Sequence, residues 1–131
     1  MSNFGYFSDM FHDLGDLSIE LDNALNVIVR AYRTKVSDED KEKAREKLLT
    51  FLSLLLEEGE GPVIPLSLHH LKKILKDFIA EQRIISKVNS IRRKIESEET
   101  LSESEINVMD DLISQVSGQA AMAFRRMRKV I

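Results

Sequence analysis

The chain has 131 residues, 43% apolar and 31% charged, with 19 Lys and Arg against 22 Asp and Glu for a net charge of −3. That length holds one hydrophobic core, and the composition excludes a disordered or membrane-embedded class. No cysteine is present, which removes disulfide scaffolds, thiolate metal sites and thiol catalysis.

Only five glycines and two prolines punctuate the sequence, so long regular elements are expected. The first stretch, MSNFGYFSDMFHDLGD, carries no base before Arg30, and a secretory leader with its basic n-region is not expected. Residues 1–15 read as an N-terminal arm and residues 16–131 as a single helical-bundle domain. The arm is rich in aromatics: Phe4, Tyr6, Phe7 and Phe11, with Met10 among them. Asn3, Gly5 and Gly15 do not favour a long helix there. Burying each such side chain is worth about 1.5–3 kcal/mol. The arm therefore either folds back on its own bundle or inserts into a neighbouring subunit. Its purely acidic charge disfavours a third role at a membrane interface.

Four helices are expected after the arm. The first runs from about Asp16 to Thr34, with Leu14, Leu17, Leu21, Ala24, Leu25, Ile28 and Tyr32 spaced by three and four. Ser37 caps the second, followed by Asp38, Glu39 and Asp40 at the positive end of the helix dipole. Its apolar stripe is Ala44, Leu48, Phe51, Leu52 and Leu55. The longest apolar run, 48–56, is interrupted by Thr50 and Ser53 and is far shorter than the roughly 20 residues that span a bilayer. GEGPVIP (59–65) is the clearest loop.

The third helix begins at Ser67, with Leu66 and Leu71 as a hydrophobic staple. Leu71, Leu75, Phe78 and Ile85 share one face, whereas Ile84, Val88, Ile91 and Ile95 point about 130° away. Either the helix breaks near Ser86–Ser90, or it bends around the bundle, or its second stripe meets another subunit. The fourth helix has the best start signal, a Ser102–Glu105 capping box with a Leu101–Ile106 staple. From there Ile106, Met109, Ile113, Val116, Ala120, Ala123, Met127 and Val130 make a heptad-like seam. The expected fold is all-α, an antiparallel four-helix bundle with an aromatic arm.

The net charge conceals opposing blocks. Residues 1–29 hold five acids and no base, and residues 96–111 hold seven acids and no base. Residues 72–94 hold eight bases against two acids, and residues 125–129 add four bases. On a continuous third helix, Lys72, Lys76, Arg83, Lys87 and Lys94 fall within an arc of about 60° and span about 33 Å. That is close to one turn of duplex DNA, about 34 Å, and such contacts would read phosphates without sequence preference. Three readings of this ridge stand: a solvated face paired with acids of a neighbouring helix, a phosphate-binding ridge, or a dock for acidic segments of another copy. Arg125, Arg126, Arg128 and Lys129 complement the negative end of the last helix, but three arginines in four residues exceed what a dipole requires and suit phosphate.

Catalytic and metal-binding patterns are missing. His69 and His70 are adjacent, so their side chains diverge by about 100° on a helix, a poor arrangement for one metal. There is no HExxH, EF-hand loop, Gly-rich phosphate loop or Gly-x-Ser-x-Gly elbow. No enzyme activity, cofactor or small-molecule substrate is expected.

The aromatic arm (NFGYFSDMF), the cysteine-free helical body, the basic stripe and the RRMRK terminus together resemble a small virion structural protein. In size and layout over the whole chain, the sequence is similar to the major coat proteins of archaeal spindle-shaped, two-tailed viruses, the bicaudaviruses. That resemblance implies a helical-bundle capsid subunit that self-associates in many copies around double-stranded DNA, made in the host cytoplasm and carried in the virion. Phe4, Tyr6, Phe7, Met10 and Phe11 would then be the assembly element, and the two basic segments would face the genome. The pI of about 5.7 is below that of a DNA-condensing protein. An alternative is a helical adaptor of an intracellular nucleoprotein complex, of the CRISPR-effector small-subunit type, that follows a nucleic-acid backbone. Another is a plain protein–protein interaction bundle.

Overall fold

The computed structural model describes the backbone of residues 14–30, 36–56 and 66–130, and the side chains of 16–29, 36–56 and 69–119. All regular structure among these residues is helical: α1 (Leu14–Arg30), α2 (Asp38–Leu56), α3 (Leu66–Gln82), α4 (Ile85–Glu96) and α5 (Glu103–Val130). The expected aromatic arm, Tyr32 and the 59–65 loop lie outside the described residues, as do the side chains of Leu66, Ser67, Ala120, Ala123 and 125–129.

Five helices stand among the described residues where four are expected, because the third segment divides. The division is not at Ser86–Ser90, which are helical within α4, but just before, at Arg83 and Ile84. Arg83 adopts a left-handed backbone, φ 55°. Its N–H donates to the Ala80 carbonyl (3.2 Å), and the Ile84 N–H donates to the Ile79 carbonyl (3.1 Å). This paired closure satisfies two carbonyls at the end of α3. The Ile84 carbonyl then accepts from the Val88 N–H (2.9 Å) and starts α4.

Packing explains why the rod breaks there. A straight helix would carry Val88, Ile91 and Ile95 away from the side that buries Leu71, Leu75 and Ile79. One left-handed residue turns the second stripe back, so α3 and α4 both pack on α2 and α5. All six of these residues are buried, and Ile84 packs against the core. Ile85, expected on the Leu71 face, is instead half exposed.

The remaining helices pack largely as their sequences foretell. The α2 stripe of Ala44, Leu48, Phe51, Leu52 and Leu55 is buried in full. Leu17, Leu21, Ala24 and Leu25 of α1 meet it, and Met109, Leu112, Ile113 and Val116 of α5 close the core. Ser37 caps α2, its Oγ accepting from the Asp40 N–H at 3.2 Å. The capping box of α5 is reciprocal: the Ser102 N–H donates to Glu105 Oε1 (2.8 Å), and the Glu105 N–H donates to Ser102 Oγ (3.2 Å). Leu101 is buried beside it, with Ile106 packed against the core. α3 begins at Leu66, so Ser67 lies within its first turn and not at the cap position expected for it.

The α4–α5 turn repeats the closure of the α3 elbow. Glu98 has φ 58°, its N–H donates to the Ile95 carbonyl (3.3 Å), and the Glu99 N–H donates to the Lys94 carbonyl (2.8 Å). The Glu98 carboxylate reaches Arg45 of α2. Lys47 of α2 likewise pairs with Glu20 of α1.

Candidate interaction surface

The break at Arg83 changes the basic ridge. The arc of about 60° holds only for one continuous helix, and the five bases lie on two helices and the elbow between them. Lys72 and Lys76 are half-buried along α3, and Arg83 is exposed at the elbow. Lys87 is exposed, with its Nζ donating to Ser104 Oγ at 2.6 Å. Lys94 does not face outward as expected; its Nζ sits 2.7 Å from Oε1 of Glu105.

Among the described residues, Glu105 is the one charged side chain that is buried. Burial alone would push its carboxyl up. The Lys94 ammonium, the Ser102 N–H and hydroxyl, and the Ser90 hydroxyl outweigh this and hold it at about 2. Ser90 Oγ donates to Oε2 at 3.2 Å. A buried carboxylate with that many donors is a structural clamp that fixes α4 against the start of α5. It removes Lys94 from the set of bases open to a partner.

The exposed bases of α3 and α4 include three that sequence reasoning did not single out. Lys73 and Arg93 are exposed, and Arg92 is partly exposed, pairing with Glu96 at 3.3 Å. The acids on these two helices are Asp77, Glu81 and Glu96. Ile85, Ser86, Asn89, Arg92, Arg93 and Glu96 line a shallow groove along the outer side of α4.

The opposite charge gathers on α1 and α5. Between 16 and 29, and between 103 and 119, there is no Lys or Arg. Ile19, Asp22, Asn23 and Asn26 form an exposed stripe on α1 at helical spacing. Asp110 and Asp111 are exposed on α5. Burial, then repulsion from Asp22 and from Asp111, raises the Asp110 carboxyl above its ordinary value. Asp22, Asp110 and Asp111 make no ion pair among the described residues. The i, i+3, i+4, i+7 spacing of the α1 stripe was readable in the sequence as the face left over by the apolar one.

A cleft of about 480 Å³ lies at one end of the body, lined by Ile28, Val29, Ile95, Leu101 and Ile106 with Asp38, Lys41, Arg45, Glu98 and Glu99 at its edge. Its two cations are already engaged: Lys41 faces Asp38 at 4.0 Å, and Arg45 pairs with Glu42 and Glu98. His69 and His70 are both exposed on α3. No group of three His, Cys, Asp or Glu among the described residues is placed to hold a metal ion, and no helix among them is long and apolar enough to cross a membrane.

No family model, curated protein or solved structure matches the chain.

Proposed function

We propose that the chain is a structural subunit that assembles with copies of itself, a virion coat protein of the bicaudavirus type it resembles in layout. In this reading α3 and α4 serve together as the third rod of a four-helix bundle, since both pack on α2 and α5. The observation that supports assembly is the segregation of charge on the folded body. One side, α1 with the start of α5, is acidic and has no base among its described side chains. Another, α3 with α4, presents Lys73, Arg83, Lys87 and Arg93 to solvent beside the acids Asp77, Glu81 and Glu96, with Lys72, Lys76 and Arg92 partly exposed. Such polarity suits repeated contact between copies better than the turnover of a substrate. Phe4, Tyr6, Phe7, Met10 and Phe11 are the proposed assembly arm. Light scattering over a concentration series tests this: the full chain forms large species that grow with concentration, and removing residues 1–11 returns a small one. A monodisperse monomer at every concentration contradicts the reading.

A second reading is supported by the exposed bases Arg83 and Arg93, which have no ion pair among the described residues. The α3–α4 side would follow the backbone of double-stranded DNA without reading its sequence, and Arg125, Arg126, Arg128 and Lys129 would add to it. Replacing Lys76, Arg83 and Lys87 by Glu then weakens binding on all sequences and flattens the log–log salt slope by about three. Unchanged binding sinks that assignment.

A further inference from the structure

Two large apolar side chains are conspicuously exposed among the described residues, and they sit on the two sides of opposite charge. Ile19 is 61% exposed in the α1 stripe beside Asp22, and Ile85 is 50% exposed at the start of the α4 groove that Arg92 and Arg93 line. In a helix that buries Leu17, Leu21, Ala24 and Leu25 on its inner side, Ile19 contributes nothing to its own core. The same holds for Ile85 opposite Val88, Ile91 and Ile95.

These two sides face outward on different helices. α2 and α5 each pack on both α1 and α4, while α1 and α4 are not among the packed helix pairs. The two helices therefore stand diagonally across the core, with their solvent sides turned away from each other. On the acidic side, Asp22 and Asp110 repel each other, and neither makes an ion pair among the described residues. A cation from outside would relieve that repulsion.

We propose that the outer stripe of α1 (Ile19, Asp22), with Asp110 of α5, docks on the α4 groove (Ile85, Arg92, Arg93) of a second copy of this chain. This rests on the self-assembly reading above and gives it an interface. Each isoleucine leaves water against its counterpart, and the aspartates meet Arg93, which has no ion pair among the described residues, and Arg92, which exchanges Glu96 for them. The surfaces that meet are different, so the contact is heterologous, and any pair of copies keeps a free donor side on one and a free acceptor side on the other. Repetition therefore gives a chain or a ring and does not stop at a dimer. One helix stripe on one groove is smaller than the roughly 800 Å² per partner of a standard interface. Single contacts are weak, and the assembly gains strength from their number.

Charge exchange provides the test, read by analytical ultracentrifugation of the full chain. An acidic-side variant, Asp22→Lys with Asp110→Lys, has two basic sides; a basic-side variant, Arg92→Glu with Arg93→Glu, has two acidic ones. Each alone loses association by about tenfold or more, and an equimolar mixture of the two regains it as an alternating complex. The milder pairs Asp22→Asn with Asp110→Asn, and Arg92→Gln with Arg93→Gln, weaken association in the same direction if an exchanged variant fails to fold. Ile19→Ser and Ile85→Ser each lower it as well. Wild-type association that both exchanges leave unchanged, or a mixture that recovers nothing, overturns this interface while leaving self-assembly intact. A wild-type chain that stays monomeric overturns both. If Arg92→Glu with Arg93→Glu abolishes binding to a duplex DNA probe but not association, the groove belongs to a polyanion and the docking proposal fails.

Discussion

Replacing Glu105 by Gln removes a negative charge from the interior and leaves the cap of α5 nearly isosteric. Glu105 is 4% exposed, and its carboxylate is held at about 2, against an ordinary value of 4.5, by Lys94, Ser102 and Ser90. That difference is worth about 3 kcal/mol to the folded state at neutral pH. Because the folded value is the lower one, the contribution is fully present above pH 4.5 and disappears as the pH falls through 2. The Gln variant should thus be less stable by about 3 kcal/mol at pH 7, with the gap to wild type closing between pH 4.5 and 2. Urea unfolding followed by circular dichroism over that range measures it. Adding Lys94→Met to Glu105→Gln should cost much less than the two single losses together, since they share one interaction. A gap below about 1 kcal/mol, or one that is flat from pH 7 to pH 2, refutes the clamp.

The left-handed elbow predicts that Arg83→Gly raises stability by about 0.5–1 kcal/mol, the strain of a side chain at φ 55° less the added freedom of Gly when unfolded. Glu98→Gly gains less, because it also gives up the pair with Arg45; equal gains at the two sites would contradict that account. Gly118 lies within α5, and a Cβ there meets nothing within 4 Å, so Gly118→Ala should stabilise by about 0.5–1 kcal/mol in thermal unfolding. Asp110→Asn removes a charge that partial desolvation and repulsion from Asp22 and Asp111 disfavour; it should raise Tm at pH 7 and not below pH 3.8, where the unfolded-state acid is already neutral. A Tm gain that persists at the lower pH would assign the effect to something other than charge.

Periodicity and caps made much of the fold legible. The buried stripe of α2, the Ser37 cap and the Ser102–Glu105 box could be read residue by residue because each is set by neighbours within one turn. The elbow was half legible. The angular mismatch between the Leu71 and Val88 stripes announced it, but its position rests on Arg83 and not on a glycine, so no residue type marked it. What fixes it is the need of both stripes for the same two neighbours, a tertiary demand that overrides local preference.

The interaction surface followed the same division. The block of bases at 72–94 was plain in the sequence, whereas their sorting was not. Lys94 is drawn inward by Glu105, eleven residues on and across the α4–α5 turn, and only the folded turn brings the two together. The acidic side was harder still, since Asp22 and Asp110 are far apart in sequence and become neighbours only through the packing of α1 on α5.

The claim that matters most is that copies of this chain bind one another through unlike sides. Sedimentation of the Asp22→Lys, Asp110→Lys variant mixed in equal amounts with the Arg92→Glu, Arg93→Glu variant addresses it most directly. The account predicts two proteins that sediment as small species when separate and as large alternating assemblies when combined. Components that sediment in the mixture as they do alone would contradict it.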